Sequence, residues 1–354
     1  MLGVIVGALS GIVLYVAAPA IGRLISLDGL SLEFVEVYLR LVALAAPAQA
    51  LLFIGNACLR GSGDTRTPFT VMIVVNVVNI STSWLFVFGP APFGGQQVRG
   101  IAAGTVVAWC CGAAIIVITL LRGRAGMQLR PHRLRPHWHT IRRIIRVGVP
   151  NLLETVGGTW LATFAVLMIV GWFAVEGLVG AHMIAIRVES FSFQPGFALG
   201  IAAATLAGQY LGLGDPERAR RGVLLCWLYA DIAMSTMGVS LLIIPGWLAR
   251  IINSDALMIS RAAPLIRLCG TIQIFFATYM VLSFALRGAG DTRTTMKLTY
   301  LSVFLIRVPG AYLLGHVLGM GLIGVWIALC ADLTVKGLLF AGRFLHGGWQ
   351  KVQV

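Results

Sequence analysis

The sequence predicts an all-α polytopic membrane protein: about ten transmembrane helices in two bundles related by an internal parallel repeat. Three observations carry this expectation. Hydrophobic residues make up 58% of 354 positions while charged residues make up only 11%, and mean hydropathy is +0.89. A water-solvated domain carries about a quarter charged residues. Apolar runs long enough to cross a hydrocarbon core of roughly 30 Å recur along the whole chain. Finally, "LRGSGDTRT" at 59–67 returns as "LRGAGDTRT" at 286–294, with eight of nine positions identical.

The expected spans follow in order. Run 3–25 contains the small residues "VAAPA", but "MLGVIVGALSG" has no basic n-region, so it reads as a retained helix rather than a signal peptide. Run 33–58 leads into the first copy of the repeated phrase. Run 68–90 opens on Pro68 and carries Asn76, Asn79 and Ser83, and run 99–121 completes four helices. A basic stretch follows, and then 148–172, with Glu154 one turn beyond Pro150 and glycines at 157 and 158. Run 178–210 carries Arg187, Glu189, Gln194 and Pro195; run 223–249 carries Asp231; run 258–286 leads into the second copy. Arg307 lies in 296–318 beside Pro309, and Asp332 and Lys336 lie in 320–342. The expected organisation is a four-helix N-terminal bundle (1–122), a basic cytoplasmic linker (123–146) and a six-helix C-terminal bundle (147–354).

The formal net charge of +14 belongs to the loops. With Met1 cytoplasmic and helices alternating, inside loops hold Arg60, Arg66, Arg122, Arg124, Arg142, Arg143, Arg287 and Arg293 among others. Outside loops hold few, such as Arg23, Arg99 and Arg250, a ratio of roughly three to one. The expected setting is therefore the cell membrane, with both termini cytoplasmic. Anionic lipid accounts for the basic excess, so the expected partners are the bilayer and small molecules, with no nucleic acid and no second copy of the chain. The six cysteines fall in apolar runs without CxxC spacing and read as small hydrophobes. Histidines 132, 137 and 139 stand among arginines, which oppose a metal ion. No HExxH or nucleophile elbow is present, so no enzymatic chemistry, metal or cofactor is expected.

The repeat extends beyond the phrase. At the offset of 227 that separates the two copies, Gly11 meets Gly238, Asp28 meets Asp255, and "LRL" at 39–41 meets "IRL" at 266–268. "RGIAAGTVVA" at 99–108 resembles "MGLIGVWIAL" at 320–329 after a short shift absorbed by the loop "GPAPFGGQQVRG". Both copies keep the same sense across the membrane. Four helices in one half and six in the other suggest a 6+6 design without its first two helices.

The repeated phrase reads physically as a helix corner. Arg60 and Arg287 favour the negative C-terminal end of a helix. Gly61 and Gly63, like Gly288 and Gly290, permit a tight reversal. Asp64 and Asp291, or Thr67 and Thr294, suit the cap of the next helix, and Pro68 suits a first turn. Arg66 and Arg293 reach lipid phosphates or carbonyls. A gating hinge is a secondary reading; a phosphate loop is excluded, because no lysine stands in the required place.

Several phrases in this order resemble the MATE (multidrug and toxic compound extrusion) transporter family over essentially the whole chain. "LRGSGDTRTP" and "LRGAGDTRT" are similar to the family's corners after its fourth and tenth helices. "NVVNISTSWLFVFG" at 76–89 resembles the fifth helix. "AHMIAIRVESFSFQPGFALGIAAATLAGQYLGLGDPERA" at 181–219 resembles the eighth, and "IRVPGAYLLGHVLGMGLIGVW" at 306–326 the eleventh running into the twelfth. In that register Met1 stands near the third helix. The resemblance implies secondary transport, with substrate near the interface of duplicated halves.

Ionisable residues inside membrane helices mark function by default. Glu154 is the candidate ion-coupling carboxylate for H⁺ or Na⁺, against the plainer reading of a helix-end residue facing cytoplasmic water. The resemblance places a coupling carboxylate on this helix. Arg307 needs a carboxylate or a watery cavity, and Glu154 is one option. Asp332 and Lys336, spaced i, i+4, suit mutual neutralisation. Arg187 and Glu189 do not share a helix face, and Asp231 and Gln194 are further cavity candidates. In the N-terminal bundle, Asn79 matches a family asparagine, but Ser83 stands where proton-coupled relatives carry aspartate. Asn76 and Asn79 fit either a polar cavity or hydrogen bonding between helices. Three classes stay open: a cation-coupled exporter of small amphipathic or cationic compounds, a flippase-like exporter of lipid-linked or anionic cargo, and a truncated protein that does not transport.

Overall fold

The computed structural model describes residues 2–24, 29–90, 92–124, 126–130, 137–173 and 177–352. The chain falls into two compact units, Met1–Ile141 and Arg142–Val354. The first contains α1 (Leu2–Leu24), α2 (Gly29–Leu44), α3 (Ala46–Gly61), α4 (Arg66–Phe88) and α5 (Gln97–Arg122). The second contains most of α6 (Trp138–Leu153), a π-helical segment (Glu154–Leu161) and α7 (Ala162–Gly171), followed by α8 (Leu178–Ser192), α9 (Gln194–Gly212), α10 (Pro216–Ile243) and α11 (Pro245–Ile252). It continues through α12 (Ala256–Thr271), α13 (Gln273–Gly288), α14 (Thr292–Ser302), α15 (Val308–Tyr312) and α16 (Gly321–Leu345). Seven helices are long and apolar enough to cross a membrane, and three bent pairs bring the number to ten among the described residues. The expected fold class is thus observed.

The distribution of side chains is that of a protein solvated by lipid. Val16, Phe69, Ile80, Trp84 and Phe88 lie exposed, while Glu154, Thr295, Asp332 and Lys336 are buried. Outside faces need only be apolar, whereas polar groups need partners, and Glu154, Thr295, Asp332 and Lys336 find them within the fold. Small residues set the closest approaches. A methyl group added at Gly104 of α5 would lie 2.3 Å from Ser83 Oγ of α4, and one at Gly337 of α16 would lie 2.6 Å from the Phe275 carbonyl of α13.

The repeat survives as geometry. The α2–α3 pair bends by 54° at Ala45, and the α12–α13 pair by 63° at Ile272; these residues stand 227 positions apart, as do Arg60 and Arg287. In the first copy Pro47 opens α3, where a missing N–H costs nothing. In the second, the buried Gln273 amide donates to Cys269 O (3.2 Å) and Ser192 Oγ (3.1 Å). It competes there with the Ile272 N–H for the same carbonyl. Pro195 likewise accompanies the 46° bend between α8 and α9.

Other boundaries depart from the hydropathy reading. The helix expected at 148 begins at Trp138, because its first turns carry exposed Arg142, Arg143 and Arg146. Charge hides such a helix from a hydropathy window but does not prevent it. The last part of the expected linker, 123–146, is accordingly helical. Run 223–249 divides at Pro245 into α10 and α11, since proline cannot continue the ladder. Run 296–318 contains two π-helical turns, Val303–Arg307 and Leu313–Val317.

Both corners reverse at a glycine as expected, but the expected cap forms at the first alone; Asp291 makes no side-chain bond to the backbone of α14. Gly63 and Gly290 take φ of 93° and 89°, which L side chains rarely adopt. Asp64 accepts from Thr67 N (3.0 Å) and Thr67 Oγ1 (2.6 Å). Thr294 Oγ1 donates to Asp291 at 2.5 Å. Each aspartate also meets an arginine that the sequence did not single out for it: Arg124 on Asp64 at 2.8 Å and Arg343 on Asp291 at 2.8 Å.

Candidate functional site

One helix face of the second unit carries a stripe of buried polar groups. Residues Thr292, Thr295, Thr299 and Ser302 of α14 repeat at helical spacing, and all are almost fully buried. At one end of this stripe lies Glu154, only 2% exposed. Its Oε1 accepts from Arg287 (2.7 Å) and Thr299 Oγ1 (2.8 Å), and its Oε2 accepts from Thr295 Oγ1 (3.0 Å). Arg287 ends α13 at the second corner.

The backbone around Glu154 explains how α14 comes so close. Methyl groups on Gly157 and Gly158 would stand 2.4 Å from Tyr300 Oη and 2.7 Å from Thr299 Cγ2. The Tyr300 hydroxyl donates to Leu153 O at 2.7 Å, satisfying a carbonyl where the ladder changes from α to π. Such π turns inside α-helices often accompany functional positions.

At the other end of the stripe, Ser302 Oγ donates to Asp332 Oδ1. Asp332 Oδ2 takes Lys336 Nζ at 2.8 Å and has Arg307 Nε at 3.9 Å. Asp332 and Lys336 are 0% and 3% exposed. Burying such charges in a low-dielectric interior is tolerable only with this pairing. Beyond Arg307 opens a cavity of about 170 Å³, lined also by Thr163, Val166, His182, Ile186, Glu189, Trp326, Leu329 and Leu333. Trp326 Nε1 donates to His182 Nδ1 at 3.0 Å.

The sequence-predicted residues are thus sorted. Glu154 does not face water, and Arg307 does not pair with it. Arg287, read only as a helix-end cation, takes that place because the corner returns α13 beside Glu154, while Arg307 turns toward Asp332. Glu189 lines the cavity and Arg187 is exposed, as their two-residue spacing requires. Gln194 is exposed at the α8–α9 bend, and Asp231 is half-buried with Oδ1 unpartnered; neither joins the network. In the first unit, Asn79 Nδ2 donates to Thr105 Oγ1 of α5 at 3.2 Å, so it ties two helices. Asn76 is exposed, and Ser83 Oγ packs on Gly104 without a partner. His132 lies outside the described residues; His137 and His139 are exposed at the start of α6. Sequence reasoning missed Thr295, Thr299, Ser302, His182 and Trp326. The signal for the first three was a polar stripe at helical period within an apolar run.

Comparison with known proteins agrees with this architecture. The family model described as MatE matches residues 1–85 and 155–313. The chain is 32% identical over 348 residues to the "Probable multidrug resistance protein NorM" of Thermotoga maritima, covering 97% of this chain and 74% of that protein. It is 24% identical over 352 residues to the multidrug resistance protein MdtK of Yersinia pseudotuberculosis, covering 97% and 76%. Among solved structures, the outward-facing conformation of a multidrug resistance MATE family transporter of the MOP superfamily superposes with a TM-score of 0.88 at 21% identity. That superposition covers 99% of this chain and 78% of the other.

Proposed function

The chain belongs to the MatE family, and from that premise we propose that it is a secondary active efflux transporter of the cell membrane. It exports small amphipathic or cationic compounds by antiport against H⁺ or Na⁺, by alternating access, with both termini and both corners on the cytoplasmic side. No prosthetic group takes part; the coupling ion is the only inorganic participant.

Glu154 is the coupling carboxylate in this reading. The observation that carries it is the bond between Glu154 and Arg287 at 2.7 Å. It joins the π-helical segment to the corner that ends α13. Charge on Glu154 holds that corner through a charge-assisted bond. A proton or Na⁺ at Glu154 weakens the hold and leaves Arg287 seeking another partner. The conformational equilibrium then depends on ion occupancy, which is the thermodynamic requirement for coupling.

Glu154→Gln keeps the shape of the side chain and removes its charge. In proteoliposomes, the variant is expected to insert normally yet lose gradient-driven efflux of a fluorescent cationic dye. Dye efflux equal to wild type would sink the assignment. Lipid-linked polyanionic cargo is disfavoured at the described cavity, where Glu189 and Arg307 both line a space of about 170 Å³.

A further inference from the structure

The cavity beyond Arg307 has unused bonding capacity of both signs. Arg307 Nε is buried without a hydrogen-bond partner. Its nearest carboxylate, Asp332 at 3.9 Å, is already engaged by Lys336 and Ser302. His182 is 3% exposed. Because its Nδ1 accepts from Trp326, its proton sits on Nε2, which has no partner among the described residues. Glu189 lines the same cavity, yet no ion pair within 4.0 Å joins it to Arg307 or His182. Donors and an acceptor therefore line one partly open cavity instead of satisfying one another.

An occupant that completes all three must carry an acceptor and a donor at separate ends. A purely cationic ligand leaves Arg307 and His182 unanswered, and a purely anionic one meets Glu189. Trp326, Leu329 and Leu333 offer the remaining wall an apolar body. Size narrows the class further. About 170 Å³ falls short of the roughly 300 Å³ at which drug-sized pockets begin.

We propose that this cavity binds a small zwitterion of the amino-acid type with an apolar side chain. Its carboxylate meets the partly exposed Arg307 guanidinium and His182 Nε2, its ammonium meets Glu189, and its side chain lies against Trp326 and the two leucines. As a substrate subsite this rests on the transport reading above; as a binding site it stands alone.

The test measures equilibrium binding of radiolabelled L-leucine to the full chain in nanodiscs. Saturable binding is expected, displaced by unlabelled L-leucine and L-phenylalanine. Isopentylamine, which lacks the carboxylate, and 4-methylpentanoate, which lacks the ammonium, are expected not to compete. These arms need no variant. Arg307→Gln and Glu189→Gln are each expected to weaken binding by about ten-fold or more, whereas Arg187→Gln, on the exposed face, is expected to leave it unchanged. No saturable binding up to ~10 mM, equal competition by either single-charge analogue, or full binding by Arg307→Gln would overturn the inference. Cationic-dye efflux by the same preparation separates the two readings. Dye efflux without leucine binding removes the subsite alone; leucine binding without dye efflux removes the transport reading alone.

Discussion

Glu154 and Arg287, 133 residues apart in the chain, meet at 2.7 Å in the interior of the second unit. Because Glu154 is almost fully buried while Arg287 keeps a quarter of its side chain exposed, removing the acid and removing the base are not equivalent. Glu154→Ala strands a cation that can partly withdraw to water. Arg287→Ala leaves a buried carboxylate with only two hydroxyl donors. We expect Arg287→Ala to be the more damaging, toward the upper part of the roughly 3–5 kcal/mol typical of a broken buried pair. A double-mutant cycle is expected to give a coupling of about 1–3 kcal/mol. Thermal melts in detergent measure both, and additive losses would show that the pair does not act as one.

The Asp332 cluster gives an ordering. Asp332 serves Lys336, Ser302 and, more distantly, Arg307. Asp332→Asn leaves two cations poorly compensated, whereas Lys336→Met leaves the carboxylate a cation and a hydroxyl. The first substitution is expected to cost about 3–5 kcal/mol and the second distinctly less. A melting temperature lower for Lys336→Met than for Asp332→Asn would contradict this account.

The close approach at the π-helical segment is tested by adding bulk. Gly158→Val pushes Thr299 away and, with it, one donor to Glu154; Gly157→Ala meets the Tyr300 hydroxyl. Overpacking of this kind costs about 1–3 kcal/mol. In a Tyr300→Ala background the Gly157→Ala penalty is expected to shrink, since the obstructing ring is gone. An unchanged penalty there would place the strain elsewhere.

At the first corner, Thr67 dominates the titration of Asp64. Its hydroxyl first and its amide next, assisted by Arg124, hold the carboxyl down to about 2. The folded value lies below the unfolded one, so the corner's stabilisation is complete above the ordinary carboxylate range. It is lost as pH falls from about 4 toward 2. Hydrogen exchange at the Thr67 amide, corrected for intrinsic rate, is expected to lose protection in that window. Asp64→Asn should show weaker protection with no such pH dependence; a wild-type profile that stays flat would remove the carboxylate from the cap.

Much of the fold was legible because lipid solvation writes itself into composition. A chain that must present apolar surface on every outward face leaves long hydrophobic runs, and an internal repeat leaves matching corners. The helix interrupted at Ile272 was not legible, because its bend comes from the Gln273 amide reaching Ser192 on another helix. No local residue code announces that. The same holds for the site. Glu154, Arg307 and Asp332 stood out as charges in apolar surroundings, but their pairing depends on how the corner folds back. His182 was invisible for the opposite reason: a lone histidine in a hydrophobic segment looks like packing until Trp326 is seen to fix its ring.

The inward charges of the second unit also bear on electrical behaviour. Glu154, Glu189 and Asp332 are set against Arg287, Arg307 and Lys336, so with all six ionised this network is electroneutral. A membrane voltage thus exerts no net force on it, and the force appears only when a net charge enters. A zwitterion would leave that neutrality intact, while a proton or Na⁺ would not. Current measured during turnover would therefore report the net charge of coupling ions and cargo rather than movement of the scaffold.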